Sequence, residues 1–317
     1  MKYLNEIDIN NIGIDWKMTT SVIEAAVAEL RGKNFAQPIK PYLRYGDPKN
    51  RIIAMPAYVG GDYSSAGIKW IASFPDNIKH NEKRAHAVVV LNEVNTGKPY
   101  CIINSGSISG IRTASVSGYV LEKYLEKTSR EFSVGIIGFG PIGKLHLDMC
   151  LSLGGENVNK VYLFDKRKID ASEISEIYRN KVVIVDSWED LVNNSDVVMT
   201  CTVSKNRYIN LPGKKGTLHL NVSLRDYCAD FMKTVDVMLV DDWEEVCREN
   251  TDIEHMHLEH GLKQENVLNI YDNFEPELEN VEDKVVMFNP MGMAVFDMAV
   301  SRYYFEKAKE LEIGTDL

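Results

Sequence analysis

No stretch of this chain approaches the ~18 consecutive apolar residues that a membrane-spanning helix needs. The opening residues, MKYLNEIDINNIG, contain no apolar core of a secretory signal. Cysteine is sparse and unpatterned. Cys101, Cys150, Cys201, Cys228 and Cys247 are odd in number and include no CxxC pair. That argues against a disulfide framework or a cysteine-based zinc site, and it fits reduced thiols in a cytoplasm. Positive charge is in deficit: the net charge of −10 argues against nucleic acid as a partner. Repeats and low-complexity segments are also missing. The expectation is a cytoplasmic protein with neither a membrane nor a nucleic-acid partner.

What is present suffices for two domains. The chain has 317 residues, and 44% of them are hydrophobic, ample for a buried core. Charge is uneven along it. Positions 36–112 hold ten Lys and Arg against five Asp and Glu, a balance of +5, which leaves −15 for the remainder. Such an island is either a pocket for an anionic small molecule or a chance excess on solvated faces.

The first segment reads as helix and strands. Ser21-Val22-Ile23-Glu24 resembles a capping box, with Val22, Ile23, Ala26, Val27 and Leu30 on one apolar face and Gly32 as the stop. Strand-like runs follow at 51–59, 67–73, 87–91 and 100–103, with a hairpin turn at Asn95-Thr96-Gly97. Short links between them predict a largely antiparallel sheet. The spacing then predicts a helix over 108–125.

Beyond it the pattern alternates. Strands are expected at 134–137, 161–164, 182–185, 197–201, 217–221, 237–240 and 285–288. Helices are expected at 142–153, 171–178, 188–193 and 291–311, with an acidic loop over 263–283. Apolar strands alternating with helices predict an α/β fold with a Rossmann-type doubly wound parallel sheet.

Within it, 133–143 reads SVGIIGFGPIG, a strand running into Gly138-x-Gly140-Pro141-Ile142-Gly143. Gly138 permits the tight turn, Gly140 lets backbone approach a pyrophosphate, and Gly143 lets the helix pack on the strand. The unpaired N–H groups of the helix start then face the phosphates. The second strand ends on Asp165, 22 residues past Gly143, where a carboxylate accepts from ribose hydroxyls and repels a 2′-phosphate. That favours NAD over NADP, while Lys166 and Arg167 directly behind it pull the other way. Cys201, Thr202 and Val203 after the fourth strand, and Asn221 and Ser223 after the fifth, belong at the ligand-facing strand ends.

Lys69 lies in an apolar strand-like run, where a lysine is costly to bury without an anionic partner. Its alternative is an amphipathic place on a sheet face. Arg112 alone reads as a surface charge. His255, His257 and His260 have metal-like spacing, but no single element presents all three on one face, so no metal is expected. His146 reads as a surface or cap residue.

SAGIKW (65–70), IRTA (111–114), the glycine turn and the Asp226 segment occur together, in this order, in a known family. The chain resembles the ornithine cyclodeaminase/mu-crystallin family over nearly its whole length. QPIKPYLR, RIIAMPAYVGG, GIKWIASF, VDDWEEVCRE and NPMGMA are similar to a branch of NAD-dependent dehydrogenases acting on N-(2-amino-2-carboxyethyl)-L-glutamate. These enzymes make 2,3-diaminopropionate for siderophores and peptide antibiotics.

The resemblance implies an α+β substrate-binding and dimerisation domain from 1–115 and 293–317, and an NAD-binding domain over 116–292. It implies a homodimer, a tricarboxylate substrate derived from amino acids, and a pathway partner that is a PLP-dependent synthase. Asp226 matches the family's catalytic general base and acid. Lys69 matches its active-site lysine, which binds a carboxylate or orients the attacking water. Arg44 and Arg112 would grip carboxylates. Thr113 would contact the cofactor phosphates, with Arg112 beside it. Arg84, a departure from the hydroxyl residue of ornithine cyclodeaminases, would contact substrate or cofactor. Asn289, Met291, Gly292 and Asp297 match the segment that closes over the nicotinamide. Two alternatives stay open: ornithine cyclodeaminase or ketimine reductase, and a mu-crystallin-like protein that binds NAD(P) or a small ligand without catalysis.

Overall fold

The computed structural model describes residues 1–128 and 130–317. The chain divides into two units, one of Met1–Ser115 with Gly292–Leu317 and one of Val116–Met291.

In the first unit, β-branched and aromatic runs form the strands β1 (Lys2–Asn5), β2 (Phe35–Ala36), β3 (Tyr42–Leu43), β4 (Arg51–Val59), β5 (Ser65–Ser73), β6 (Ala85–Asn92) and β7 (Pro99–Asn104). A C-terminal strand, Thr315–Asp316, pairs with β1, and the order continues β1-β7-β6-β5-β4-β2, with β3 also on β4. Strands β4 to β7 are antiparallel, while β1 joins β7 in parallel. Gly97, at a φ of +70°, takes the left-handed position of the β6–β7 turn. Side chains alternate across this sheet. Met55, Ala57, Lys69, Val89 and Leu91 point to the face covered by the C-terminal helix Ala294–Glu310.

The helix expected from Ser21 starts five residues earlier, at Trp16. Asp15, not Ser21, caps it, its Oδ1 accepting from Met18 N at 3.1 Å. Buried Trp16, Thr19 and Thr20 extend the apolar stripe backwards, which puts Ser21 on the exposed side of a helix interior.

The second unit is a parallel sheet of β8 (Phe132–Ile137), β9 (Val158–Phe164), β10 (Val182–Ile184), β11 (Val197–Thr200), β12 (Thr217–Leu220), β13 (Val237–Val240), β14 (Leu268–Asn269) and β15 (Val285–Asn289). The order is β10-β9-β8-β11-β12-β15-β13-β14. The chain runs outward from β8 through β9 and β10, then restarts at β11 on the other side. Loops after β8 and β11 therefore diverge at the carboxyl ends of neighbouring strands, where such sheets bind ligands.

Two expectations need correction here. Positions 171–178 form two 3-10 turns, Ala171–Glu173 and Glu176–Tyr178, not an α-helix. Buried Ile174 between them is extended, at a φ of −101° and a ψ of 123°, and Asp170 spends its side chain on Ser172 N. The last helix begins at Ala294 rather than 291, because Gly292 has a φ of +90°. The 263–283 segment is irregular but pinned by buried Ile270, Phe274, Leu278 and Val281. Among the described residues, no helix is long and apolar enough to cross a membrane.

Candidate functional site

The glycine turn follows β8 directly. Gly138 N donates to Phe164 O at 2.8 Å, and Gly138 has a φ of +94°. A Cβ on Gly143 would stand 2.1 Å from Gly138 O, so only glycine lets helix Pro141–Gly154 start this close to the strand. A Cβ on Gly140 would meet nothing within 4 Å. That open backbone, with no side chain capping the helix start, fits a pyrophosphate laid across the first-turn N–H groups of Ile142 and Gly143. Pro141 at the first position costs no hydrogen bond there.

Asp165 closes the turn from the side. Its Oδ2 accepts from Phe139 N at 2.7 Å and its Oδ1 from Arg167 N at 2.9 Å. Cys201 N donates to Ile137 O. Burial pushes its thiol well above the usual range, with Asp226 adding to the shift, so it stays protonated. Val203 is 66% exposed, an apolar side chain in the open at a ligand-facing strand end.

Asp226 is fully buried in a turn after β12. Thr202 Oγ1 donates to its Oδ1 at 2.5 Å, and Ser223 Oγ donates to its Oδ2. Burial raises its pKa to about 6, the Thr202 bond lowers it, and the nearby Asp252 carboxylate raises it. The buried Tyr208 hydroxyl faces the same carboxylate and favours its charged form. Asp252 organises the turn from below. Its Oδ2 accepts from Asn221 Nδ2, Asp226 N and Tyr227 N at 3.0, 3.1 and 3.1 Å, and its Oδ1 from Arg207 Nε at 2.7 Å.

The turn holds Leu224 at a φ of +60°, a left-handed conformation that costs a non-glycine residue roughly 1–2 kcal/mol. Asn221 Oδ1 accepts from Leu224 N, and Asp252 N donates to Leu224 O. Asn289 Oδ1 accepts from Asn221 Nδ2 at 2.9 Å, so both buried amides lock strand ends together. Met291 N donates to Asp241 Oδ1 at 2.9 Å.

The first unit holds a group of opposite sign. Lys69 on β5 is 1% exposed. Its Nζ donates to Asp297 Oδ1 at 2.9 Å and to Ser109 Oγ at 3.2 Å. Arg112 Nε donates to the same Asp297 oxygen at 2.8 Å, while Asp297 Oδ2 is buried without a partner among the described residues. Lys40, also buried, donates to Gly292 O at 2.9 Å. Gly292 lies against Arg112, whose Nη1 would be 2.7 Å from a Cβ there. Burial and the charge of Arg112 lower the Lys69 pKa to about 7, against the pull of Asp297. Burial opposes ionisation of Asp297, but Arg112 and Lys69 outweigh it and hold that carboxyl below its usual range.

Sequence reasoning named most of these residues but not their company. Lys40 went unassigned, and Asp297 was allotted to the nicotinamide. The signal lay in a buried lysine pair that demands an anion. Arg112 is no surface charge: it is buried. Arg44 is exposed, its guanidinium 4.9 Å over the Tyr42 ring. Arg84 is half-buried just ahead of β6, and Thr113 Oγ1 donates to Ser109 O within its own helix.

His146 corrects the surface reading. It is fully buried, with Nδ1 2.8 Å from Ile142 O and Nε2 3.0 Å from Ser117 Oγ. Burial lowers its pKa to about 4, so it is neutral at physiological pH. In helix Asp252–His260, His255 contacts Glu259 and Asn250, His257 contacts Leu262 O, and His260 contacts Asp230.

The sequence model of the ornithine cyclodeaminase/mu-crystallin family matches residues 5–312. The chain is 31% identical over 335 aligned positions to the N-((2S)-2-amino-2-carboxyethyl)-L-glutamate dehydrogenase of Staphylococcus aureus (strain NCTC 8325 / PS 47), covering 100% of this chain and 98% of that one. It is 23% identical over 307 positions to the Delta(1)-pyrroline-2-carboxylate reductase of Bacillus thuringiensis subsp. konkukian (strain 97-27), covering 92% of each. Among solved structures, Thermococcus litoralis Delta(1)-pyrroline-2-carboxylate reductase in complex with NADH and L-proline matches with a TM-score of 0.88 at 21% identity, over 100% of both chains.

Proposed function

The chain belongs to the ornithine cyclodeaminase/mu-crystallin family, and on that premise we propose that it oxidises N-(2-amino-2-carboxyethyl)-L-glutamate. It is an NAD-dependent oxidoreductase acting on the CH–NH bond of an amine. The products are L-2,3-diaminopropionate, 2-oxoglutarate, NADH and a proton, with one water consumed. The observation that carries this substrate is the first unit's buried charge: Lys40, Lys69 and Arg112 outnumber the single carboxylate of Asp297. A net positive, desolvated group suits a substrate with three carboxylates.

Gly138, Gly140 and Gly143 would hold NAD, with Asp165 on the ribose side, and the bound cofactor would supply the hydride acceptor. Arg112 binds a substrate carboxylate through its fork. Lys69, whose charged form Asp297 favours, binds a second carboxylate or orients the water that attacks the imine. Asp226 accepts the amine proton as the C–H bond breaks. Thr202 and Ser223 favour its ionised form against burial, so it is a base at neutral pH. It releases that proton to solvent, the proton of the overall equation, then draws one from the attacking water and returns it to the nitrogen, so that collapse of the carbinolamine expels the amine.

The test is NADH absorbance with purified protein, NAD and the proposed substrate, with L-proline and ornithine in parallel. A stoichiometric rise with the first compound and release of 2-oxoglutarate is the expected result. A rise with proline instead would move the chain to the pyrroline-carboxylate reductases. Cyclisation of ornithine would move it to the cyclodeaminases. We also infer a homodimer through the outer face of the first unit's sheet. Pro56, Ile68, Val90 and Ile102 are register partners across β4–β7 there, and Trp70 beside them is 43% exposed. Trp70→Glu is expected to give monomers in sedimentation.

A further inference from the structure

The cations behind Asp165 raise a question of cofactor choice. A 2′-phosphate at the adenosine ribose would meet Asp165, which repels it, and Lys144, Lys166 and Arg167, which would attract it. Their side chains are already engaged. Arg167 forms a two-pronged pair with Glu173, Nη1 to Oε1 at 2.6 Å and Nη2 to Oε2 at 2.9 Å. Its Nη2 also donates to Phe139 O at 2.8 Å, on the glycine turn itself. Lys144, in the first turns of the glycine-turn helix, reaches the same carboxylate at 2.8 Å, and its Nζ lies 5.7 Å over the Phe139 ring. Lys166 turns toward the Tyr208 ring, 5.9 Å away.

Glu173 therefore gathers two of the three cations that could serve a phosphate. It is itself fixed by the short 3-10 turn that replaces the expected helix, where its Oε1 also accepts from Asp170 N at 3.3 Å. Arg167 and Lys144 hold its carboxyl down to about 2, so it is charged at any working pH.

We propose that Glu173 is a specificity-determining residue for the cofactor, excluding NADP by holding Arg167 and Lys144 in ion pairs beside Asp165. The carboxylate of Asp165 alone is a weak barrier when a guanidinium stands two residues away. A bidentate guanidinium–phosphate pair would offset the repulsion. Glu173 removes that option by supplying the anion in advance. It acts through its partners and is a positioning residue.

The proposal rests on the reading of the glycine turn as a nucleotide site, so the test separates the two. AMP and adenosine 2′,5′-bisphosphate are titrated calorimetrically into the wild-type protein, Glu173→Gln, Arg167→Gln, the double variant, and the double variant with Lys144→Gln added. Glutamine keeps a neutral acceptor for Asp170 N, and thermal melts check the fold. The wild type is expected to bind AMP better than the bisphosphate. Glu173→Gln is expected to strengthen bisphosphate binding about tenfold while AMP changes less than about twofold. Arg167→Gln on that background should remove most of the gain, and added salt should shrink it. An equal change for both ligands, no change, or a gain that survives loss of Arg167 together with Lys144→Gln would overturn the proposal while leaving the nucleotide site standing. Failure of the wild type to bind AMP would overturn both.

Discussion

Two buried polar groups of this molecule are built with opposite excess. In the first unit, cations crowd one carboxylate: Lys69 and Arg112 share a single oxygen of Asp297, with Lys40 close by. In the second, carboxylates predominate: Asp226 and Asp252 lie together, with Arg207 on the far side of Asp252 and hydroxyls from Thr202 and Ser223 on Asp226. Burial opposes charge of either sign, so it drives the two groups toward each other on the pH scale. Lys69 falls to about 7 and Asp226 rises to about 6. One environment lowers a base and the other raises an acid, and both reach the range where proton transfer is productive at neutral pH. The difference lies in what steadies each charge. Lys69 depends on a formal counter-charge, Asp226 on neutral donors.

Breaking each group at its centre has the largest expected effect. Asp226→Asn keeps the shape but cannot take a proton, and turnover should fall about 10²–10⁴-fold in the NADH assay. Because the wild-type carboxylate is ionised above about pH 6 at a burial cost, thermal stability of this variant at pH 8 should hold or rise. Asp297→Ala should do the reverse to the fold. It strands Lys69 and Arg112 without their anion, and denaturant unfolding should show a loss of about 3–5 kcal/mol. Lys69→Met, which leaves Arg112 to pair with Asp297, should cost clearly less stability while abolishing most activity.

A second contrast lies within the glycine turn. Gly143→Ala pushes a methyl into Gly138 O and should lose about 1–3 kcal/mol of stability. Gly140→Ala meets nothing. It should leave the melting temperature in place and weaken NAD in a binding titration, because its methyl occupies the approach of the pyrophosphate. The smallest effect sharpens the original comparison. Thr202→Val removes a donor that favours the Asp226 carboxylate, so the acidic limb of kcat/KM should move up from about 6 by about one unit. Activity rises through that limb with pH, so the variant should be selectively impaired near pH 6.

Much of this was legible in the chain. The glycine turn, Asp165 and the strands around them are carried by local patterns of two to eight residues, and local patterns are what a sequence displays. The start of the helix Trp16–Arg31 was misplaced because a capping-box spacing at Ser21 is indistinguishable from helix interior until the burial of Trp16 is known. The 171–178 segment was misread for a similar reason: the burial of Ile174 overrides helical spacing. The partner of Lys69 was harder still. Asp297 lies 228 residues away, and the Lys40–Gly292 contact spans 252. No window of neighbouring residues contains either pair.

That separation also orders events during synthesis. Domains fold as units, earlier segments first. Here the whole second unit leaves the ribosome before the helix Ala294–Glu310 that completes the first. Until that helix arrives, β5 has neither its covering layer nor the anion that makes a buried lysine tolerable. The sheet of the first unit therefore waits, half-assembled, until residues 294–310 have been made. A truncation just before Ala294 should leave an intact parallel sheet attached to a sticky, unprotected one.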